Sequence, residues 1–98
     1  MIIVTAKFTA KPGMRQKIVE LSQRAIELTR KEEGCISYTL LKNSDDDKTL
    51  MYYEEWESLD ALRVHLKTDH ILEAREARKD LIEGAPEVRI FEARETHI

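Results

Sequence analysis

Two histidines and the only tryptophan of the chain fall within one stretch, EWESLDALRVHLKTDH, between positions 55 and 70. An imidazole titrates near neutral pH and can remove a proton from a weak acid, so His65 and His70 are the candidate catalytic residues. A mostly apolar pocket would keep water away from the resulting anion. A structural alternative stays open, in which His65 is a hydrogen-bonded core residue and His70, with Thr68, only closes a helix start.

Aromatic and aliphatic side chains near the histidines are candidates for the wall of a substrate pocket. Glu54 and Trp56 lie two positions apart on a predicted strand and therefore share a face with Tyr52. The candidate substrate-binding set is Tyr38, Tyr52, Glu54, Trp56, Leu62 and Leu66. In the alternative interpretation Trp56 is a core anchor at the strand end, and Glu54 accepts hydrogen bonds from nearby backbone donors.

Other kinds of reactive site are not indicated. No HExxH, CxxC or similar spacing predicts a metal site, and no glycine-rich loop suits a phosphate. The single Cys35 cannot form an internal disulfide, which agrees with a reducing compartment. As a small apolar side chain in a predicted strand it needs no further role.

The composition indicates one globular domain, residues 1–98, in which 42% of residues are hydrophobic and 36% are charged. A formal net charge of -3 provides no basic field for nucleic acid. No apolar run is long enough to span a membrane, and the N-terminal residues lack the pattern of a signal peptide. We therefore expect a cytoplasmic protein.

The hydrophobic periodicity alternates between that of strands and that of helices along the chain. A β-branched run ending at Lys11-Pro12-Gly13 predicts a first strand, and steps of three and four residues then predict a helix that Gly34 ends. The polar segment 44–48 joins two strands as a hairpin, and Gly84 with Pro86 is expected to end the third helix. The predicted elements are strand 2–10, helix 12–32, strand 35–43, strand 49–57, helix 58–66, helix 70–82 and strand 87–95.

This order, β-α-β-β-α-α-β, predicts an α+β fold of the ferredoxin-like kind, with a four-stranded antiparallel sheet covered by helices on one face. Apolar residues also occur at positions that would point to the other face, namely Ile3, Leu41, Met51, Tyr53 and Phe91. A second copy of the same sheet would cover them, so we expect a homodimer that forms through the sheet faces.

The sequence resembles the antibiotic biosynthesis monooxygenase domain family in two segments. One reads Glu54-x-Trp56 followed by His65-x-x-Thr68-x-His70, and the other reads Glu32-x-Gly34-x-x-x-Tyr38. The likeness covers nearly the whole chain in length and element order, and small quinol monooxygenase-like members are the most similar in length.

The resemblance implies a dimeric α/β barrel with a pocket between sheet and helices. It also implies oxygenation of a small electron-rich aromatic, a quinol or polyphenol, by O2 without metal or flavin. Haem is not expected, because Arg75 stands near the place where haem-degrading members have a histidine and the first strand has no asparagine. Two alternatives stay open: an isomerase-type enzyme acting on a small oxygenated metabolite, and a non-catalytic dimeric module that binds a small molecule.

Overall fold

The structure is a computed structural model that describes all residues, 1–98. Strands and helices follow one another in the predicted order. The elements are β1 (Ile2–Ala10), α1 (Arg15–Thr29), β2 (Cys35–Lys42), β3 (Thr49–Trp56), α2 (Leu59–His65), α3 (Asp69–Arg78) and β4 (Ile82–Glu92). None of the helices has the length and hydropathy that a membrane span requires.

The four strands form one antiparallel sheet in the order β2-β3-β1-β4. Side chains alternate between the two faces of each strand, so every second residue of β1 and β3 points toward the helices. Val4 and Phe8 of β1, with Leu50 and Trp56 of β3, are buried on that face. Ile18 and Ile26 of α1 pack into the same core. The ferredoxin-like fold with helices on one face is thus confirmed.

The third helix and the last strand differ from their predicted bounds. The helix expected over 70–82 ends at Arg78, and the strand expected over 87–95 begins at Ile82. Gly84 and Pro86 therefore lie within β4 instead of ending the helix. The pairing of β1 with β4 shifts register between Lys7 and Thr9, which lie opposite residues 87 and 83. A bulge of this kind accepts a glycine with positive φ and a proline without an N–H group, so both residues fit a strand here.

The first helix is also shorter than expected, since α1 ends at Thr29 and leaves residues 30–34 as a turn. A second bulge shifts the register of β2 against β3 between Cys35 and Ser37. Ile36, which simple alternation places on the face of Tyr38, is exposed as a result, whereas Tyr38 is buried. The turn after α1 is the more consequential departure, because it contains Glu32.

The sheet face that points away from the helices is partly apolar. Leu41 and Phe91 are 43% and 45% exposed, and Ile3, Met51 and Tyr53 are half-buried. Charged side chains share this face, for example Lys7, which lies 3.8 Å from Glu87. No helix of the chain covers these residues.

Gly34 joins α1 to β2 at a place where the chain has little room. Its φ is +84°, and a Cβ at this position would lie 2.6 Å from the Cβ of Ala61 in α2. Gly13 has a similar φ of +76°, but a Cβ there would meet nothing within 4 Å. A side chain at either position would strain the backbone, but only a side chain at position 34 would also overlap a neighbouring atom.

We predict that Gly34→Ala destabilises the fold more than Gly13→Ala. The positive φ alone costs about 1–2 kcal/mol in either variant, and the overlap with Ala61 adds about 1–3 kcal/mol at position 34 only. Urea unfolding of both variants measures the difference. Equal losses of stability would contradict the close packing of α2 against this turn.

Candidate functional site

His65 occupies the end of α2, a short helix whose start is fixed by Ser58. The Ser58 Oγ accepts a hydrogen bond from the Ala61 N–H at 3.1 Å, which satisfies one free donor of the first turn. The His65 side chain points inward and is only 1% exposed. Its ring lies between two aromatic rings, with centroid distances of 4.7 Å to Trp56 and 5.3 Å to Tyr38.

Thr68 makes the bend that brings the two histidines together. Its Oγ1 donates to the His65 carbonyl at 2.8 Å and accepts from the Ile71 N–H at 3.4 Å, so it closes α2 and begins α3. Residues five apart do not share a face of one continuous helix. Because the helix is broken at Thr68, the rings of His65 and His70 nevertheless come to lie 6.3 Å apart.

Glu32 joins the two histidines from the turn after α1. Its Oε2 lies 2.9 Å from the His65 Nδ1 and 2.7 Å from the His70 Nε2. An ionised carboxylate can only accept hydrogen bonds, so this arrangement places a proton on the Nδ1 of His65 and leaves its Nε2 with a free lone pair. No protein group hydrogen-bonds that Nε2. Glu32 thus orients His65 and selects the tautomer that can act as a base.

No role for Glu32 was predicted from the sequence. It stands 33 positions before His65 and 38 before His70, so no local spacing connects it to either ring. The one sequence signal for it is the Glu32-x-Gly34 segment, which contributes to the family resemblance. The shortened α1 explains the contact, since a helix continued to residue 32 would hold this carboxylate on a helical surface.

Burial opposes protonation of His65. Removal from water lowers the pKa of the imidazole below its ordinary value, although the hydrogen bond and the negative charge of Glu32 act in the opposite direction. The ring is therefore neutral at neutral pH and available to accept a proton. His70 is somewhat more accessible, with a side chain 17% exposed.

Glu54 and Trp56 form a hydrogen-bonded pair beside His65. The Trp56 Nε1–H donates to the Glu54 Oε1 at 2.9 Å. Glu54 is only 6% exposed, and burial raises the pKa of its carboxyl to about 7, against the opposing effect of the bond from Trp56. Burial also raises the pKa of the Tyr38 hydroxyl, which stays protonated at any ordinary pH.

A cavity of about 460 Å³ lies between the helix-facing side of the sheet and helices α2 and α3. Ten of its 17 lining residues are hydrophobic, so its wall is mainly apolar. The predicted residues that line it are His65, Tyr38, Tyr52, Glu54, Leu62 and Leu66. Two predicted residues, Trp56 and His70, do not line it. Trp56 is fully buried with its ring 4.7 Å from that of His65, and His70 is hydrogen-bonded to Glu32.

The cavity wall contributed by α3 and β4 was not predicted. Arg75 and Arg78 of α3 line it, with Lys79 directly after that helix, and so do Val88 and Ile90 of β4. The two β4 residues are about half exposed, so the cavity is open along this edge strand. Their contribution depends on the exact start and register of β4, which the sequence pattern placed five residues too late.

Glu32, His65 and His70 also form the one cluster whose side chains could hold a metal ion, with ligand atoms within 4.8 Å of one another. In a tetrahedral zinc site with bonds of about 2.0–2.1 Å, ligand atoms lie about 3.3 Å apart. The carboxylate oxygen lies 2.7 and 2.9 Å from the two nitrogens, which are hydrogen-bond distances. The cluster as it stands is a hydrogen-bonded triad, and a cation would have to push its members apart.

We predict that Glu54→Gln is more stable than the wild type at high pH, because the difference in their free energies of unfolding grows as the pH increases. The Glu54 carboxyl has a pKa of about 7 in the folded protein and about 4.5 in the unfolded chain. Its ionisation therefore destabilises the folded wild-type protein, and this loss of stability grows between about pH 4.5 and pH 7. It reaches at most about 3 kcal/mol. The amide oxygen can still accept the bond from Trp56.

Urea unfolding at pH 4.5 and pH 8 measures this effect, and Glu92→Gln, which changes an exposed carboxyl, is the control. The stability difference between Glu54→Gln and wild type should be larger at pH 8. A difference that does not vary with pH would contradict the raised pKa.

Comparisons with known proteins agree with this architecture. The family model described as antibiotic biosynthesis monooxygenase matches residues 1–77. The chain is 33% identical over 95 residues to the uncharacterized protein sll1783 of Synechocystis, a match that covers 97% of this chain. It spans 65% of that relative, slightly less than two thirds of its length.

Two further relatives match along most of both chains. "Probable quinol monooxygenase YgiN" of Escherichia coli (strain K12) is 30% identical over 94 residues, covering 85% of this chain and 90% of the relative. The crystal structure of a conserved protein from Methanosarcina mazei Go1 superposes with a TM-score of 0.90 at 31% identity, covering 95% of this chain and 92% of that one. With the family model matching most of its residues, the chain belongs to the antibiotic biosynthesis monooxygenase family.

Proposed function

We propose that the protein is a cofactor-independent monooxygenase that oxidises a small electron-rich aromatic, a quinol or polyphenol, with O2. One observation carries the proposal: the Glu32 carboxylate lies 2.9 Å from the His65 Nδ1, and the His65 ring lines a mainly apolar cavity. A bond from Nδ1–H to Glu32 leaves the Nε2 as the nitrogen that can accept a proton. The similarity to the E. coli relative, which is named a probable quinol monooxygenase, supports the same substrate class.

The role of His65 follows from the chemistry of O2. Ground-state O2 is a triplet and reacts slowly with neutral closed-shell molecules, but it accepts one electron from an electron-rich anion. In this mechanism the His65 Nε2 takes a hydroxyl proton from the bound quinol, and the resulting imidazolium stabilises the anion. Glu32 supports the positive charge through Nδ1–H, as a carboxylate does for other catalytic histidines.

The electrons balance without an external reductant. After one electron passes to O2, the two radicals combine to form a C–O bond, and the hydroperoxide that results loses water to leave a carbonyl. For 1,4-naphthoquinol the net reaction is quinol plus O2 giving 2-hydroxy-1,4-naphthoquinone plus water, so the substrate supplies all four electrons. The apolar wall, which includes Leu62, Leu66 and Tyr52, limits the access of water to the radical pair.

We predict that His65→Ala lowers the rate of O2 uptake with 1,4-naphthoquinol at least about 100-fold, the usual contribution of a general base. An oxygen electrode measures uptake by chelator-treated protein above the spontaneous oxidation of the quinol. His97→Ala is the matched control, because His97 is 87% exposed in the C-terminal segment and does not line the cavity.

Equal uptake by wild type and His65→Ala would remove the assigned role. Turnover of an oxygenated metabolite without O2 consumption would favour the isomerase-type alternative instead. Binding without turnover across a panel of phenols would favour the non-catalytic module. A module without a ligand site would have Trp56, Leu62 and Leu66 filling this space. Here the space is an open cavity.

We further propose that two copies pair through the sheet faces that the helices leave bare. Leu41 and Phe91 are exposed there, and Ile3, Met51 and Tyr53 are half-buried, so association would remove apolar surface from water. The charged and hydroxyl side chains interspersed among them would set the register of the two sheets.

We predict that Met51→Glu shifts the protein toward the monomer. The carboxylate would lose its water in the centre of the proposed interface, which is unfavourable without a partner. Light scattering coupled to size-exclusion chromatography measures the mass. The control is Val64→Glu, at an exposed position of α2. A wild-type protein that is monomeric at micromolar concentration, or a Met51→Glu dimer, would contradict the proposed interface.

A further inference from the structure

The wall that α3 gives to the cavity is cationic. Arg75, Arg78 and Lys79 all line the space. Lys79 is paired with Glu76 on its own helix. Arg75 and Arg78 form no ion pair and no side-chain hydrogen bond within the protein, so two guanidinium groups at this site are without an anionic partner.

Arg78 is the more unusual of the two, because it is only 8% exposed. Its guanidinium carbon lies 5.6 Å from the ring centroid of Phe8 and 5.5 Å from that of Tyr52, within the range of cation–π contacts. These contacts fix the position of the group without neutralising it. Its Nη1 is buried and has no hydrogen-bond partner. Such a nitrogen is costly to bury, which suggests a partner from outside the chain.

The protein supplies little negative charge to balance these groups. Glu54 is the one acidic residue in the cavity wall, and its Oε1 already accepts from Trp56. Burial raises the pKa of Glu54 to about 7, so it is only partly ionised at neutral pH even with both arginines near it. His65 adds no negative charge. The cavity therefore has a positive excess, although the chain as a whole has a formal charge of -3.

We propose that the natural ligand of this cavity is an aromatic acid: an apolar ring system that carries an anionic group, such as a carboxylate, bound by Arg75 and Arg78. The mainly apolar wall contributed by β1, β4 and α2 would hold the ring, and the charge at the α3 side would hold the anion. The proposal rests on the proposed function for the identity of the site and deepens it by specifying the charge of the substrate. Phe8 and Tyr52 hold the Arg78 guanidinium in place for this contact.

The test compares two probes of nearly equal shape that differ in charge, 2-naphthoate and 2-naphthamide, by isothermal titration calorimetry at pH 7. Because binding is measured without turnover or O2, the result does not depend on whether the protein is an oxygenase. Wild type should bind naphthoate at least about tenfold more tightly than naphthamide, as expected for charge-assisted hydrogen bonds. Added NaCl should weaken naphthoate binding and leave naphthamide binding nearly unchanged.

Variants of α3 test whether its arginines cause the preference for naphthoate over naphthamide. Arg75→Gln, at an exposed position, and Arg78→Gln should each reduce this preference, and the double variant should abolish it. Arg78→Lys keeps the charge and should retain part of the preference, which separates a binding role from the packing of Arg78 on the two rings. Arg63→Gln is the control, since Arg63 is a surface arginine paired with Asp60.

Three results would overturn the proposal. The first is equal affinity of wild type for the two probes, and the second is the absence of naphthoate binding. The third is a naphthoate preference that survives in the Arg75→Gln, Arg78→Gln double variant. Thermal melting of each variant, compared with wild type, shows which changes in affinity come from a folded protein.

Discussion

The organisation of the site depends on one carboxylate oxygen, Glu32 Oε2, which accepts from His65 and from His70 at once. Two charge-assisted hydrogen bonds of this kind contribute about 1.5–3 kcal/mol each. They connect the turn after α1 to the end of α2 and the start of α3, so three helices are held together at the point where the His65 ring lies. The same bonds decide which nitrogen of His65 carries the proton. The same carboxylate oxygen therefore holds the helices together and orients the His65 ring.

Burial and hydrogen bonding act on His65 in opposite directions, and burial has the larger effect. This outcome suits a general base, because a ring that was already protonated at neutral pH could not accept a further proton. Glu54 shows the complementary case, in which burial leaves a carboxyl only partly ionised at the same pH. Both groups line one mainly apolar cavity, and burial shifts each of them toward its uncharged form.

Much of the fold could be predicted because its elements are defined by local periodicity. The alternating residues of β1, the three-and-four spacing of α1 and the polar loop 44–48 each specify an element without reference to the rest of the chain. The end of α3 was misplaced because Gly84 and Pro86 are typical of a helix end, and only pairing with β1 reveals that they form a bulge. A bulge is a property of two strands together, and no single stretch encodes it.

The site was predictable to the extent that its members are neighbours in sequence. His65, His70, Glu54 and Trp56 come from one continuous region, whereas Glu32 is distant in the chain and reaches the site only through tertiary packing. The arginines of α3 are close to His70 in sequence, but only the packing of that helix shows that they line the cavity. The alternation of side chains along β3 places Glu54 and Trp56 on one face, but it cannot say that Glu54 lines the cavity while Trp56 is fully buried against the His65 ring.

The cavity draws its reactive residues and its shape from different parts of the chain. His65 and the residues that orient it belong to the α1 turn, α2 and the start of α3, while Val88, Ile90 and the cationic side chains belong to β4 and the later part of α3. Substitutions in the second group could therefore change the size or charge of the accepted molecule while the hydrogen bond between Glu32 and His65 stays in place. Under the proposed mechanism, the choice of substrate and the chemistry would then be free to change independently.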